Sequence, residues 1–140
     1  MLTNSRTLRI EWSDCDPAGI VYYPRYFAMF DTSTTSLFEL ALGMPAAQLF
    51  KAYGVVGYPL VEARARFIKP IQFSDDVTIK TTVTEFGRTS FKMQHCLSKK
   101  GELAVEAFET RVWVVRHPDD RERLKSQLIP KELIARFNVE

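Results

Sequence analysis

From Pro24 onward, Phe27, Phe30, Thr34, Leu37, Phe38 and Ala41 recur at spacings of three and four, the period of a helix with one buried face. Pro24 suits the first helical position, where its missing N–H has no intrahelical acceptor to lose, and Gly43 followed by Pro45 marks the far end. The helix so bounded runs about 19 residues, or about 28 Å at about 1.5 Å per residue. One long amphipathic helix needs a broad apolar surface to lie on, and the rest of the chain reads mostly as strands. "RTLRIEW" alternates Leu8, Ile10 and Trp12 against Arg9 and Glu11. "YPLVEARARFI", "DVTIKTTVTEFG" and "TSFKMQHCLSKKG" alternate in the same way, with Gly87-Arg88 and Lys99-Lys100-Gly101 in turn positions. "ELAVEAFETRVWVVR" reads as one longer strand whose Val- and Trp-rich end suits a sheet centre. "PAAQLFKAYG" is a second short apolar turn stopping at Gly54, His117-Pro118 opens a loop-like charged run, and "IPKELIARF" is a short terminal helix. The predicted order is one strand, the long helix, then four strands: an α+β layer in which the helix covers a predominantly antiparallel sheet.

The chain of 140 residues shows no repeat, low-complexity tract or linker, so residues 1–140 are read as one domain. With 46% hydrophobic and 26% charged residues it falls outside the disordered and fibrous classes. A formal charge of +2 argues against a nucleic-acid binder, and no run approaches the roughly 18 apolar residues of a membrane span. "MLTNSRTLRIEW" lacks a basic start followed by an apolar core, so the expected location is the cytoplasm, with Cys15 and Cys96 as free thiols. His95 and His117 lack metal-ligand spacing, and no metal site is expected.

The chemistry-bearing stretch is "EWSDCDPAGIVYYPRYFAMFD", Glu11 to Asp31. Asp16, before Pro-Ala-Gly, can hold a turn or act on a substrate; Asp14 reads as a turn or cap residue. Two flanking carboxylates disfavour the Cys15 thiolate, no Gly-x-Ser-x-Gly elbow is present, and His95 sits in a strand alternation as a satisfied sheet residue. The aromatic run Tyr22, Tyr23, Tyr26, Phe27 and Phe30 is mostly core, with one or two members left to line a pocket.

The motif "DCDPAGIVYYPRYFAMFD" closely resembles the opening of the 4-hydroxybenzoyl-CoA thioesterase family, and the similarity continues through "YPLVEARARFIKPIQFSDDVTI", "GRTSF" and "ERLKSQLIP". The resemblance implies the hotdog fold, an antiparallel sheet wrapped around one long central helix, and hydrolysis of an acyl-CoA, an aromatic one such as 4-hydroxybenzoyl-CoA in the first instance. It implies Asp16 as the catalytic carboxylate, attacking the thioester or activating water, and the Tyr23 backbone N–H as donor to the thioester oxygen. A helix's first-turn amides lack intrahelical partners and lie at the positive end of its dipole, so an oxyanion there finds a preorganised donor. Gly19 lets the backbone turn close to the substrate. By the same resemblance Asp31 lines the acyl pocket, Gly57-Tyr58 approaches the acyl group, and Arg88, Thr89, Ser90 and Lys125 face CoA. Gly87 and Thr89 stand where basic residues would strengthen the phosphate grip. CoA enters as part of the substrate and no cofactor is implied. Family members pair so that their sheets join and the site draws on two subunits, so a homodimer or homotetramer is expected.

Three other readings stay open at this level. One is a thioesterase for short or branched acyl-CoA or for acyl carrier protein thioesters, against which "YYPRY" tilts toward the aromatic branch. Another is a hotdog dehydratase, which needs a His near the helix start that this chain lacks. The third is a non-enzymatic acyl or aromatic ligand-binding module, for which a carboxylate at Asp16 has no use.

Overall fold

The periodic run forms a single 20-residue helix, α1 (Tyr23–Leu42), with Pro24 in its second rather than first position. The helix ends through Gly43 at φ +66°, a left-handed conformation that costs glycine nothing sterically. Its buried stripe runs from Tyr26, Met29 and Phe30 through Ser33 and Thr34 to Leu37, Phe38, Ala41 and Leu42. In the computed structural model, which describes residues 1–139, this stripe lies on a five-stranded antiparallel sheet. The strands are β1 (Thr3–Arg9), β2 (Leu60–Phe67), β3 (Asp76–Phe86), β4 (Ser90–Lys99) and β5 (Glu102–Val112), in the order β1-β3-β4-β5-β2. This is the α+β hotdog arrangement. A short helix α2 (Ala46–Tyr53) follows α1, and a terminal turn α3 (Lys131–Ala135) closes the far end.

The β4–β5 hairpin turns through Lys100 at φ 50° and Gly101 at φ 78°. Two left-handed central residues match the right-handed twist of the strands they join. Two apolar clusters fill the space beneath α1. One gathers Tyr26, Met29 and Phe30 with Ile10, Ile71, Ile79 and Leu97; the other gathers Leu37 and Phe38 with Leu49, Phe91, Trp113 and Phe137.

Three expectations need correction. The first strand stops at Arg9: Ser74 N–H donates to the Ile10 carbonyl and the chain leaves the ladder. Trp12 then opens a one-turn 3-10 helix, Trp12–Asp14, and lies 64% exposed with its ring edge-on to Phe73 at 5.2 Å. The long "ELAVEAFETRVWVVR" strand breaks at Trp113, whose N–H donates to Thr89 O at 2.8 Å and whose carbonyl accepts from Gln127 N–H at 2.9 Å. Beyond the break, β6 (Val114–His117) pairs with β7 (Asp120–Ser126), the run read as loop, so six strands and not four follow α1. Finally, β2 pairs only with β5, and Leu60, Val61 and Phe67 are exposed despite the alternation.

Phe38 is the hub of the second cluster, with ring centroids at 4.8 Å from Tyr58, 4.9 Å from Phe137 and 5.3 Å from Phe91. Phe38→Ala is expected to cost about 3–5 kcal/mol of unfolding free energy, measured by urea denaturation. A loss under about 1 kcal/mol would mean that this cluster does not hold α1 down.

Candidate active site

The turn before α1 is built by its own carboxylates. Asp14 accepts from Glu11 N–H at 2.9 Å and from the Arg25 guanidinium at 3.2 and 3.3 Å, which fixes the entry to the helix from both sides. Asp16 is half-buried; its Oδ1 accepts from Ala18 N–H at 2.8 Å and its carbonyl from Gly19 N–H at 2.9 Å. Gly19 sits at φ +79° to close that turn, and its carbonyl accepts from Phe73 N–H. Asp16 Oδ2 makes no protein hydrogen bond among the described residues. One oxygen of Asp16 therefore holds the turn and the other is left without a protein partner among the described residues.

The helix start leaves one donor. Pro24 carries no N–H and Arg25 N–H donates to Tyr22 O at 2.8 Å, so the Tyr23 amide is the first-turn donor presented at the positive end of α1. Beside it opens a mostly apolar cavity of about 310 Å³ lined by Ile20, Val21, Tyr23, Tyr26, Phe67, Ile68, Lys69 and Pro70. Burial pushes the Tyr26 phenol up to about 12, so this ring lines the cavity as a neutral side chain. Burial, and then Asp14, Asp16 and Asp75, push the Cys15 thiol up as well, which removes it as a nucleophile.

Asp31, Gly57 and Tyr58 also come together, but elsewhere. They line a second cavity of about 610 Å³ with Thr35, Pro59 and Arg111. Thr35 stands one turn after Asp31, and its hydroxyl is 3.0 Å from the Tyr58 hydroxyl. Eight helical positions separate Tyr23 from Asp31, about 12 Å along the axis. Within one chain, then, the Asp16–Tyr23 end and the Asp31–Tyr58 end are two separate places rather than one pocket.

Sequence reasoning missed Arg111. Its guanidinium is 3% exposed, donates to Tyr58 O at 3.2 Å and pairs with Asp31 at 3.0 Å and Glu109 at 3.3 Å. The signal was present: strict alternation along β5 places Glu109 and Arg111 on the face of Ala107 and Trp113, where all four are buried. His95 is, as read, a satisfied sheet residue, bonded to Thr81 and Glu109 through its two ring nitrogens.

The residues expected to face CoA gather at the opposite end of the sheet from the β4–β5 hairpin. Arg88, Thr89 and Ser90 form the β3–β4 turn, closed by Gly87 N–H to Ser90 O at 2.7 Å. Ile129 N–H donates to Arg88 O at 2.8 Å, tying this turn to the segment that follows β7. Lys125 lies on β7, four residues before Ile129.

A long-helix hotdog with a carboxylate turn at the helix start is the architecture of a thioesterase, and the comparisons agree. The model of the thioesterase-like superfamily matches residues 10–137. The chain is 35% identical over 132 residues to the 4-hydroxybenzoyl-CoA thioesterase of Pseudomonas sp. (strain CBS-3), covering 90% of this chain and 91% of that one. Among solved structures it superposes on an Asp-to-Asn variant of a 4-hydroxybenzoyl-CoA thioesterase complexed with 4-hydroxybenzoyl-CoA, with a TM-score of 0.88 and 32% identity over 97% of this chain and 99% of that one. A gentisyl-coenzyme A thioesterase follows at TM-score 0.79 and 30% identity, over 94% and 99%. The chain belongs to the thioesterase-like superfamily.

Burial raises the Glu109 carboxyl, but the hydrogen bond and charge of His95 and then Arg111 outweigh it and hold the group below its ordinary 4.5. A depressed folded value stabilises the fold above the unfolded value, and that contribution is lost as pH falls through the folded one. Urea-unfolding stability is expected to drop as pH falls below about 4.5, less steeply in Glu109→Gln. Equal slopes in both proteins would remove Glu109 from the acid response.

Proposed function

We propose that this protein hydrolyses an aromatic acyl-CoA thioester, 4-hydroxybenzoyl-CoA in the first instance, to the free acid and CoA. The observation that carries the reading is Asp16 Oδ2, free of protein hydrogen bonds among the described residues, in the turn that leads into α1, whose Tyr23 borders an apolar cavity, in a chain 35% identical to a thioesterase of that substrate. Asp16 takes the proton of the water that attacks the thioester carbon, or attacks that carbon itself to give a mixed anhydride that water then hydrolyses, releasing the acid and restoring the carboxylate. The carbonyl oxygen, as it gains charge, is met by the Tyr23 N–H at the positive end of α1. The C–S bond breaks and CoA leaves as the thiolate. Water is the only co-reactant, and the scheme calls for no cofactor. Arg88, Thr89, Ser90 and Lys125 face the CoA portion, Arg88 and Lys125 as screened contacts to its phosphates.

The working unit we infer is a homodimer, with a homotetramer as the alternative. The support lies in β2, an open edge with Leu60, Val61, Phe67 and Ile68 exposed, which a monomer would be expected to cover or charge. Two copies of β2 pairing antiparallel about a two-fold axis would set the Phe67 end of one against the Leu60 end of the other. The cavity beside Tyr23 would then face the partner's Asp31–Tyr58 cavity, and the two half-sites would close on one acyl group. We place the protein in the cytoplasm; Cys15 and Cys96 are free thiols, and among the described residues no helix is long and apolar enough to cross a membrane.

The first test is free-thiol release from 4-hydroxybenzoyl-CoA, with acetyl-, hexanoyl- and phenylacetyl-CoA in parallel. Turnover is expected to favour the hydroxylated aromatic ester and to fall at least about a hundredfold in Asp16→Asn. Wild-type rates in that variant would falsify the role of Asp16. The second test mixes Asp16→Asn with Asp31→Ala subunits after unfolding and refolding. Sites built from two chains restore about a quarter of wild-type activity, because half of the dimers are mixed and each holds one intact site. No restoration would mean that each chain works alone.

A further inference from the structure

A layer of polar side chains lies between the two apolar clusters beneath α1: Ser33 and Thr34 from the helix, Thr81 from β3, His95 from β4, and Glu109 and Arg111 from β5, all buried. Ser33 and Thr34 return their hydroxyls to the helix, to Met29 O at 2.9 Å and Phe30 O at 3.0 Å. The other four form a single chain of contacts. Thr81 Oγ1 is 2.8 Å from His95 Nδ1, and His95 Nε2 is 2.7 Å from Glu109 Oε1. The same Oε1 accepts from Arg111 Nη2 and Nε at 3.3 and 3.4 Å. His95 cannot swing away, because its ring is stacked on Phe30 at 4.7 Å and 11°. Arg111 Nη1 reaches outward instead, to Tyr58 O and to Asp31 Oδ1, whose side chain is 66% exposed.

Arg111 thus stands between a buried carboxylate and a surface one, and the division of its N–H groups decides what Asp31 can do. Nε and Nη2 are committed to Glu109 and Nη1 donates to Tyr58 O, so Asp31 meets the guanidinium as an ion pair at Nη1, 3.0 Å away, without a two-pronged hydrogen bond. A guanidinium free of Glu109 would take the two-pronged grip on Asp31 that arginine and carboxylate favour, occupying both oxygens and releasing the Tyr58 carbonyl. We propose that Glu109, fixed in turn by His95, is a positioning residue that rations Arg111 so that Asp31 keeps one oxygen free to accept from a hydroxyl on the acyl ring. This rests on the reading of the Asp31–Tyr58 cavity as the acyl pocket. Stability alone is a poor account of the pair: a buried ion pair seldom stabilises more than packed apolar residues would, and Glu109 Oε2 is buried with no partner among the described residues.

The test compares kcat/KM for 4-hydroxybenzoyl-CoA with that for benzoyl-CoA in wild type, Glu109→Gln and His95→Gln. The wild type is expected to prefer the hydroxylated ester, and Glu109→Gln to lower that preference about tenfold, the scale of one charge-assisted hydrogen bond. His95→Gln, which keeps an N–H donor toward Glu109, lowers it less and keeps the question open to test if Glu109→Gln does not fold. A structural role would instead reduce both esters alike with a lower Tm, and that result overturns the proposal, as does a wild type without preference for the hydroxyl. Hydrogen exchange of the Arg111 Nε–H, followed by NMR, reads the positioning without any substrate. It is expected to speed up at least about tenfold in Glu109→Gln. If wild type hydrolyses neither ester, the pocket reading fails on its own; unchanged Arg111 exchange sinks the positioning role whatever the enzyme hydrolyses.

Discussion

The contact between α1 and the inner face of the sheet sets the geometry of everything else. Each large apolar side chain it buries contributes about 1.5–3 kcal/mol, and the stripe from Tyr26 to Leu42 is nearly continuous. That contact fixes the helix along its axis and in rotation. The same helix carries the Tyr23 amide at its start and Asp31 two turns on, so packing in the core determines where two proposed substrate contacts lie. The turn before the helix is held in its own way. Val21 N–H donates to Ile71 O at 2.8 Å and Tyr22 N–H to Asp14 O at 2.9 Å, so the entry is tied to the segment leading into β3 as well as to itself.

The packing is not uniformly apolar. Midway along α1 it is interrupted by Thr81, His95, Glu109 and Arg111, and burying two full charges there carries a desolvation cost that only close partners offset. The partners are present: His95 and Arg111 both face Glu109 Oε1, and Arg111 finds the Tyr58 carbonyl and Asp31 on its outer side. The layer links three central strands to the helix and to the loop before β2. A change in any member is transmitted to the others, which an oily contact would absorb by repacking.

Much of this was legible in the sequence. The helix, its glycine stop, the β4–β5 turn and the terminal helix follow from local period and turn chemistry, which act over a few residues. What was not legible depends on neighbours distant in the chain. Trp12 continues the alternation of Leu8 and Ile10, but the ladder ends at the Arg9–Asp76 pair, and beyond it Ile10 is held by Asp75 and by Ser74, which sits at φ 73°. Trp113 breaks β5 because Thr89 and Gln127 take its backbone groups, and neither is near it in sequence. Arg111 looks like an outward-facing sheet residue by type, whereas the period of two puts it inside. The residue type misled where the spacing was right. Among the proposed site residues, the Asp16–Gly19–Tyr23 cluster is local and was readable as a unit. The separation of Asp31 and Tyr58 from it is a matter of helix length and strand order.

Asp14 and Asp16 differ in what they leave free, which is why the proposed chemistry falls to one carboxylate and not to its neighbour. Asp14 has both oxygens committed, Oδ2 to the Glu11 amide and Oδ1 to the guanidinium of Arg25. Nothing is left over, and protonating or displacing it would undo the entry to α1. Asp16 spends only Oδ1 on its turn. That single bond orients the carboxylate at no cost to its second oxygen, in the turn that leads into α1. A carboxylate held by nothing would have to be ordered by the substrate, at the expense of side-chain entropy on every turnover. In the proposed scheme the small-residue turn of Pro17, Ala18 and Gly19 is thus what would make the acid usable: it supplies the amide that anchors one oxygen and no side chain large enough to cover the other.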